Sequence, residues 1–327
     1  MFSAIYIENE VKRYERVERI LNRYPDVPHI SCERYGEIFN RNAQNFRLQK
    51  RSPALILARK HGNLVLPAPE GYGFDNSPSF YFSHMLNCVY DCRYCFLQGM
   101  YRSANYVVFV NYEEFESALS TNIVRYPGPS VYYSGYDCDS LALEPVSKFC
   151  KYFLPFFSKH PEAVIEIRTK STQVRTLLEH TPLENCIIAM SFTAHDEAKR
   201  WEHKVPSIAK RLDALQKLQQ AGWPIAIRFE PLIFGRDMLE RYLSLFEQIF
   251  GVLDSSAIHS VSTGGFRMPV EYMKNIIKLY PDEALFARPM HTKNGVMSML
   301  AKDSCPHDAI EELLFGFIST KQYYRCA

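Results

Sequence analysis

The sequence predicts an α/β fold, an open partial (β/α)6 barrel preceded by a small N-terminal α/β lobe. From about residue 79, short apolar runs alternate with stretches of helical period, the pattern of a parallel sheet wrapped by helices. The alternation occurs six times, too few to close an eight-stranded barrel. Ahead of it, the segment 62–78 is rich in turn formers (Pro67, Pro69, Gly71 and Gly73) and reads as a linker.

In the lobe, 3–11 reads as a strand and 12–24 as an amphipathic helix with Val17, Ile20 and Leu21 on one face, stopped by Pro25 and Pro28. Strands are expected over 29–32 and 53–59, the latter around the buried run Ala54-Leu55-Ile56-Leu57. Arg41, Arg47, Lys50, Arg51, Arg59 and Lys60, interleaved with Phe46 and Leu48, form either a phosphate-contacting face or an ordinary solvated one.

The six units pair a strand at 80–83 with a helix near Leu97, then 129–134 with 141–157, 163–168 with 172–179, 186–192 with 207–221, 223–230 with 237–250, and 257–263 with 269–280. In 207–221, Ile208, Leu212, Leu215 and Leu218 recur at helical spacing and Gly222 ends the run. A strand at 106–110 and a helix at 112–124 look like an insertion between the first and second units. A last helix is expected at 308–318. The division is 1–76 for the lobe and linker, 77–283 for the barrel and 284–327 for a C-terminal extension.

A chain of 327 residues, 47% hydrophobic, buries a large core, and above about 250 residues a single core tends to acquire a second lobe. A net charge of +2 is too mild to predict a polyanion partner. Nine cysteines, an odd number, together with no secretion-type leader, speak against a disulfide framework. No apolar run reaches the length of a membrane span. The expectation is a cytoplasmic protein in a reducing compartment.

The chemistry centres on Cys88-Val89-Tyr90-Asp91-Cys92-Arg93-Tyr94-Cys95-Phe96. Thiols so close in sequence converge on one soft metal centre and leave a fourth position open. One reading is a zinc knuckle completed by His84, four residues before Cys88. The other is a 4Fe-4S cluster whose unliganded iron is chelated by S-adenosyl-L-methionine (SAM). The stretch resembles the Cys-x3-Cys-x-aromatic-Cys signature of the radical SAM superfamily, whose fold is a radical SAM partial (β/α)6 barrel. That resemblance makes Cys88, Cys92 and Cys95 the metal ligands. It places Tyr94 near the adenine and has the backbone of Phe96 hydrogen-bond it.

Ligands of parallel βα folds bind where loops leave the carboxyl ends of strands. The second unit's strand ends in Ser134-Gly135-Tyr136-Asp137-Cys138-Asp139, a loose version of the superfamily's turn for the methionine amine, with Ser134, Gly135 and Asp139 as candidates. The same residues also read as an Asx-rich helix cap. Arg168-Thr169-Lys170 puts cations at the mouth to pair the SAM carboxylate, and Ser191 offers a hydroxyl. Arg228 and Glu230 read as a pair with each other. Cys150 and Cys186 read as packed hydrophobes, and Cys32, Cys305 and Cys326 receive no role.

Several segments together resemble the spore photoproduct lyase family: Tyr6-Ile7-Glu8-Asn9-Glu10, Cys92-Arg93-Tyr94-Cys95-Phe96-Leu97-Gln98, Tyr106-Val107-Val108-Phe109-Val110-Asn111 and Arg168-Thr169-Lys170. The resemblance extends to about Tyr280. It implies SAM contacts at Lys170 and Ser191, reductive cleavage of SAM to a 5′-deoxyadenosyl radical, and hydrogen abstraction from a methylene-bridged thymine dimer in DNA. A reducing partner such as flavodoxin or ferredoxin is implied with it. Two positions depart from the family: Phe96 stands where it carries a second Tyr, and Tyr136 where it carries a hydrogen-donating Cys. Residues two apart in an extended segment point the same way, so Cys138 and Tyr136 are the catalytic candidates, either with the Cys138 thiol donating hydrogen into one shared cavity or with Cys138 a packed turn residue. Met290-His291-Thr292-Lys293-Asn294-Gly295 is the counterpart of the family's DNA-inserting strands. Two other functions remain open, a radical SAM enzyme acting on a peptide or small metabolite and a zinc-bound nucleic-acid-binding module. The oligomeric state is left open.

Overall fold

The computed structural model describes residues 2–69, 77–299 and 306–326. Gly71, Gly73 and Cys305 lie outside the described residues.

The barrel sheet contains the six expected parallel strands in sequence order: Ser79–Tyr81, Ser130–Tyr133, Ala163–Thr169, Cys186–Ser191, Ile225–Leu232 and Ile258–Gly265. Their registers run Ser79 beside Val131, Ala163 beside Ser130, Ile165 beside Cys186, Ile188 beside Ile225, and Ile225 beside Ile258. The strands are buried on both faces: the outer face is apolar under the helices, and the inner face also carries the buried polar side chains of Glu166, Arg228, Ser260 and Ser262. Leu66–Pro67, inside the expected linker, pairs antiparallel with Ser79–Tyr81 at one edge. At the other edge Tyr323–Arg325 adds a parallel strand beside Ile258–Gly265, which the sequence did not suggest.

The helices follow the periodicity where it is long. Ile208–Gln220 buries Ile208, Leu212, Leu215 and Leu218, is capped by the Ser207 hydroxyl accepting from the Lys210 N–H, and is followed by Gly222 at φ 90°. Two expectations were too long. The helix expected at 141–157 is broken into Glu144–Ser147 and Phe149–Phe157 by Lys148 at φ 54°, and the Glu144 carboxylate accepts the Cys150 N–H at the second helix's start. The helix expected at 172–179 is a single turn, Arg175–Leu178.

The first sheet has the order His29–Cys32, Ile5–Glu8, Leu55–Ala58, Tyr106–Phe109, Met85–Leu86, with only the last strand antiparallel. The apparent insertion Tyr106–Phe109 thus returns to the N-terminal sheet, and all four of its residues are buried. The lobe's core, built on Ile5, Val17, Ile20, Leu55 and Val108, also takes in Cys138 and Val146 from the barrel chain. The lobe is therefore packed directly against the loop that follows the second barrel strand.

The basic stretch does not form one solvated face. Lys50 is buried and donates to the Cys88 carbonyl at 2.7 Å. Arg59 pairs with Glu114 at 2.9 Å and Glu10 at 3.3 Å, and Lys60 lies over the rings of Phe109 and Phe115. Met290–Lys293 and Val296–Met299 make a hairpin whose Asn294-Gly295 turn has positive φ at both residues, as a two-residue turn of this hand requires. Among the described residues, no helix is long and apolar enough to cross a membrane.

Candidate active site

A cavity of about 310 Å³ opens at the carboxyl ends of the barrel strands, the size of a small-ligand site. Cys88, Cys92, Cys95, Tyr94, Phe96, Gly135, Tyr136, Cys138, Asp139, Lys170 and Ser191 all line it. Of the residues proposed to bind SAM, Ser134 stands behind the wall, its hydroxyl 2.8 Å from the Ser140 hydroxyl and donating to the Glu166 carbonyl at 3.2 Å.

The cysteine loop is held from several sides. Asp91–Cys92 pairs antiparallel with Glu202–His203, and the Arg93 N–H donates to the Trp201 carbonyl at 2.9 Å. Asn87, at φ 73°, accepts the Cys88 N–H and donates to the carbonyls of Ser103 and Asn105. Gln98 donates to the Cys92 carbonyl. Gly99 lets the turn Leu97–Met100 sit against Val270–Leu279, because a Cβ there would lie 2.1 Å from the Tyr272 carbonyl oxygen. Burial pushes all three thiols up, Cys88 to about 12. A bound cation reverses that balance, since a coordinating thiol is deprotonated outright.

His84 takes no part in this wall. It is buried flat against Phe149, ring centroids 4.1 Å apart, and desolvation lowers its pKa to about 3. Among the described residues, no three His, Cys, Asp or Glu side chains are gathered as a single ion requires. A four-iron cube takes each thiolate at a separate corner and spreads its ligands further apart.

Two buried charge networks lie behind the cavity. Glu202 accepts from Tyr94 and from Thr193 at 2.9 Å, and pairs with Arg211 at 2.6 Å and Lys170 at 3.2 Å. Despite its burial, the cations Lys170 and Arg211 hold its pKa at about 2. Glu166 pairs with Arg228 at 2.7 Å and Arg168 at 2.9 Å, and its pKa likewise falls to about 2. Arg228 and Glu230 therefore do not pair with each other: Arg228 turns into the barrel toward Glu166, and Glu230 takes Arg168 at 2.8 Å. Arg228 and Glu230 share a face of their strand, and each finds its counterpart across the sheet, on the strand Ala163–Thr169.

The Asp139 carboxylate is filled by four donors, Thr169 Oγ1, the Lys170 N–H, and the N–H groups of Leu141 and Ala142. Asp137 accepts from Ser83 and Tyr101 instead of facing the cavity with Asp139. Gly135 allows a close approach of the turn to its neighbours: a Cβ there would lie 2.7 Å from the Ser140 hydroxyl and 2.9 Å from the Arg168 carbonyl oxygen. The Tyr136 ring packs at a tilt against Tyr81 and Phe96, with ring centroids 4.5 and 5.8 Å away. The Cys138 thiol donates to the Ser134 carbonyl at 3.8 Å.

Sequence reasoning missed Lys50, Gln98, Glu230, Phe266, Arg267 and Cys326 on the cavity wall. A Leu-Gln after the third cysteine was visible for Gln98. Lys50 and Cys326 arrive through long-range contacts that leave no local signal.

The residues fit a cluster with a bound nucleotide: three cysteines line one cavity together with Tyr94 and Lys170, and the Gln98 Oε1 is buried without a partner among the described residues. A family model described as spore photoproduct lyase matches residues 4–285. Spore photoproduct lyase of Bacillus subtilis (strain 168) is 24% identical over 204 residues, 61% of this chain and 60% of that protein's length. Among solved structures, a spore photoproduct lyase double mutant with bound AdoMet and dinucleoside spore photoproduct superposes with a TM-score of 0.85 at 15% identity, over 100% of this chain and 98% of that one. Spore photoproduct lyase complexed with dinucleoside spore photoproduct gives 0.83 at 14% identity with the same coverage. The sequence match over most of the chain, together with a shared fold that carries three cysteines to the carboxyl ends of the strands, places this chain in the spore photoproduct lyase family.

Proposed function

We propose that this protein is a radical SAM lyase acting on spore photoproduct or a closely related thymine lesion in nucleic acid. The observation that carries the reading is that Cys88, Cys92 and Cys95 all line the strand-end cavity. In this reading the three thiols hold a 4Fe-4S cluster, and the cluster with SAM supplies a nucleotide radical able to abstract hydrogen from carbon.

The protein's own groups supply the surroundings. Gly135 lets its turn pack closely against Ser140 and the Arg168 carbonyl, and Asp139 fixes that turn to the third strand through Thr169 and the Lys170 N–H, so that in this reading the turn borders the amino-acid end of SAM. Glu202 orients the Tyr94 ring and the Lys170 ammonium together, which puts an aromatic face and a cation beside the nucleotide. Phe96 carries its carbonyl into the turn at Gly99 and Met100, and Ser191 presents its side chain at the fourth strand's end. Tyr136, Tyr81 and Phe96 form an aromatic wall suited to stacking a splayed-out base. The exposed His291, Thr292 and Lys293 of the hairpin suit contact with a phosphate backbone. An external low-potential protein such as flavodoxin or ferredoxin delivers the electron, and the setting is the cytoplasm.

The test is anaerobic reconstitution followed by reduction with SAM and dinucleoside spore photoproduct. About four irons per chain, 5′-deoxyadenosine and unlinked thymines are expected. A fully loaded protein that makes no 5′-deoxyadenosine refutes the reading. Cleavage of SAM without thymine release selects a different substrate, a peptide or small metabolite, which the bulky Tyr136 in the cavity wall favours.

A further inference from the structure

The strand Tyr323–Arg325 has no evident place in a six-unit barrel, yet it is fastened tightly to one. Tyr323 lies 2.5 Å from the Thr263 hydroxyl, Arg325 grips Glu311 at 2.5 Å and also Asp308, and the Cys326 N–H donates to the Thr263 carbonyl at 2.9 Å. The consequence is that Cys326 is carried to the wall of the cavity that holds Cys88, Cys92 and Cys95. Gly264 makes room for it: a Cβ on Gly264 would lie 3.4 Å from the Cys326 Cβ and 3.3 Å from the Glu230 side chain.

The reaction proposed above leaves a carbon radical on the substrate, and something must give that carbon a hydrogen atom. A thiol S–H is weak enough to do so, and two thiols other than the three metal-binding ones line the cavity. Cys138 is 5% exposed, donates to the Ser134 carbonyl and packs in the lobe's core with Leu143 and Val146. Cys326 is only partly buried, and its sulfur has no hydrogen-bond partner among the described residues. Burial and the neighbouring Glu230 push its pKa up to about 11, so it is a protonated thiol at neutral pH. Gln98, 3% exposed and lining the same cavity, also keeps an Oε1 with no hydrogen-bond partner among the described residues.

We propose that Cys326 is the hydrogen-atom donor that quenches the substrate radical. The inference rests on the reading of the cavity as a radical SAM site. In the step, the Cys326 S–H bond breaks and a C–H bond forms on the product thymine. The sulfur radical left behind takes one electron from the low-potential reductant and one proton from solvent, which restores the thiol.

The test is turnover of dinucleoside spore photoproduct in D2O by the cluster-loaded full chain, following 5′-deoxyadenosine and deuterium in the thymine methyl group. Cys326→Ser keeps the volume but offers an O–H too strong to donate. It is expected to lower deuterium incorporation at least ~10-fold while 5′-deoxyadenosine forms within ~2-fold of wild type. A second measurement needs no turnover: in unreduced holoprotein, alkylation of Cys326 by iodoacetamide, read by mass spectrometry, should slow at least ~5-fold when SAM and the dinucleoside are added. Undiminished deuterium in Cys326→Ser, or its loss in Cys138→Ala or Tyr136→Phe instead, overturns the assignment. So does alkylation that proceeds at one rate with and without ligands. Absence of 5′-deoxyadenosine in the wild type is a different result and sinks the radical SAM reading itself.

Discussion

Neutralising Glu202 is expected to destabilise the protein at neutral pH and to leave it almost unchanged in acid. Glu202→Gln preserves shape but removes the charge that Arg211, 1% exposed, and Lys170 face at 2.6 and 3.2 Å. Stranding one partner of a buried ion pair costs about 3–5 kcal/mol. The pH linkage gives an independent magnitude. The folded-state pKa of about 2 lies below the ordinary 4.5, so the carboxylate's contribution is fully present above pH 4.5 and is lost as pH falls toward 2. At roughly 1.4 kcal/mol per pH unit the shift is worth ~3 kcal/mol, in the range of the first figure. The assay is urea unfolding of cluster-free wild type and variant between pH 7 and pH 3, with the gap between them narrowing as pH falls. A gap under ~1 kcal/mol at pH 7, or one that does not shrink in acid, refutes the assignment of this carboxylate as a buried, doubly paired anion.

Other perturbations test the remaining parts of the account. Gly99→Ala places a Cβ against the Tyr272 backbone carbonyl, which has no flexible end to give way, and should cost about 1–3 kcal/mol in urea unfolding; a cost under ~0.5 kcal/mol contradicts the close approach. Leu215→Ala empties a fully buried site in the helix Ile208–Gln220 and should cost about 2–5 kcal/mol, measured as a shift of the urea midpoint. Cys92→Ala should lower bound iron at least ~4-fold after anaerobic reconstitution, whereas Cys150→Ala, in the core helix Phe149–Phe157, should retain it; equal iron in the two proteins refutes the ligand assignment.

The elements that local sequence specifies are the ones the structure reproduces. The run Cys186–Ser191 and the stripe Ile208, Leu212, Leu215 and Leu218 each carry their own period, so strand and helix were legible without any partner. The cysteine spacing is also local: three cysteines within eight residues ride on one loop and reach the same cavity together. Shorter or interrupted elements were read less well. A left-handed Lys148 splits a helix whose apolar pattern runs on unbroken, because the Glu144 carboxylate offers the next turn a cap.

What the sequence by itself determined is the order of the six barrel strands and the close spacing of Cys88, Cys92 and Cys95 on one loop, because each depends on residues a few positions apart. Only the tertiary structure decided that Arg228 reaches Glu166 and not Glu230, that Lys50 is buried against the Cys88 carbonyl, and that Cys326 joins the cavity wall. These outcomes depend on which strands become neighbours and on where a buried charge finds its counterpart. A buried ion or thiol is placed by the pairing and desolvation available across the whole fold, and that information resides in contacts between distant segments.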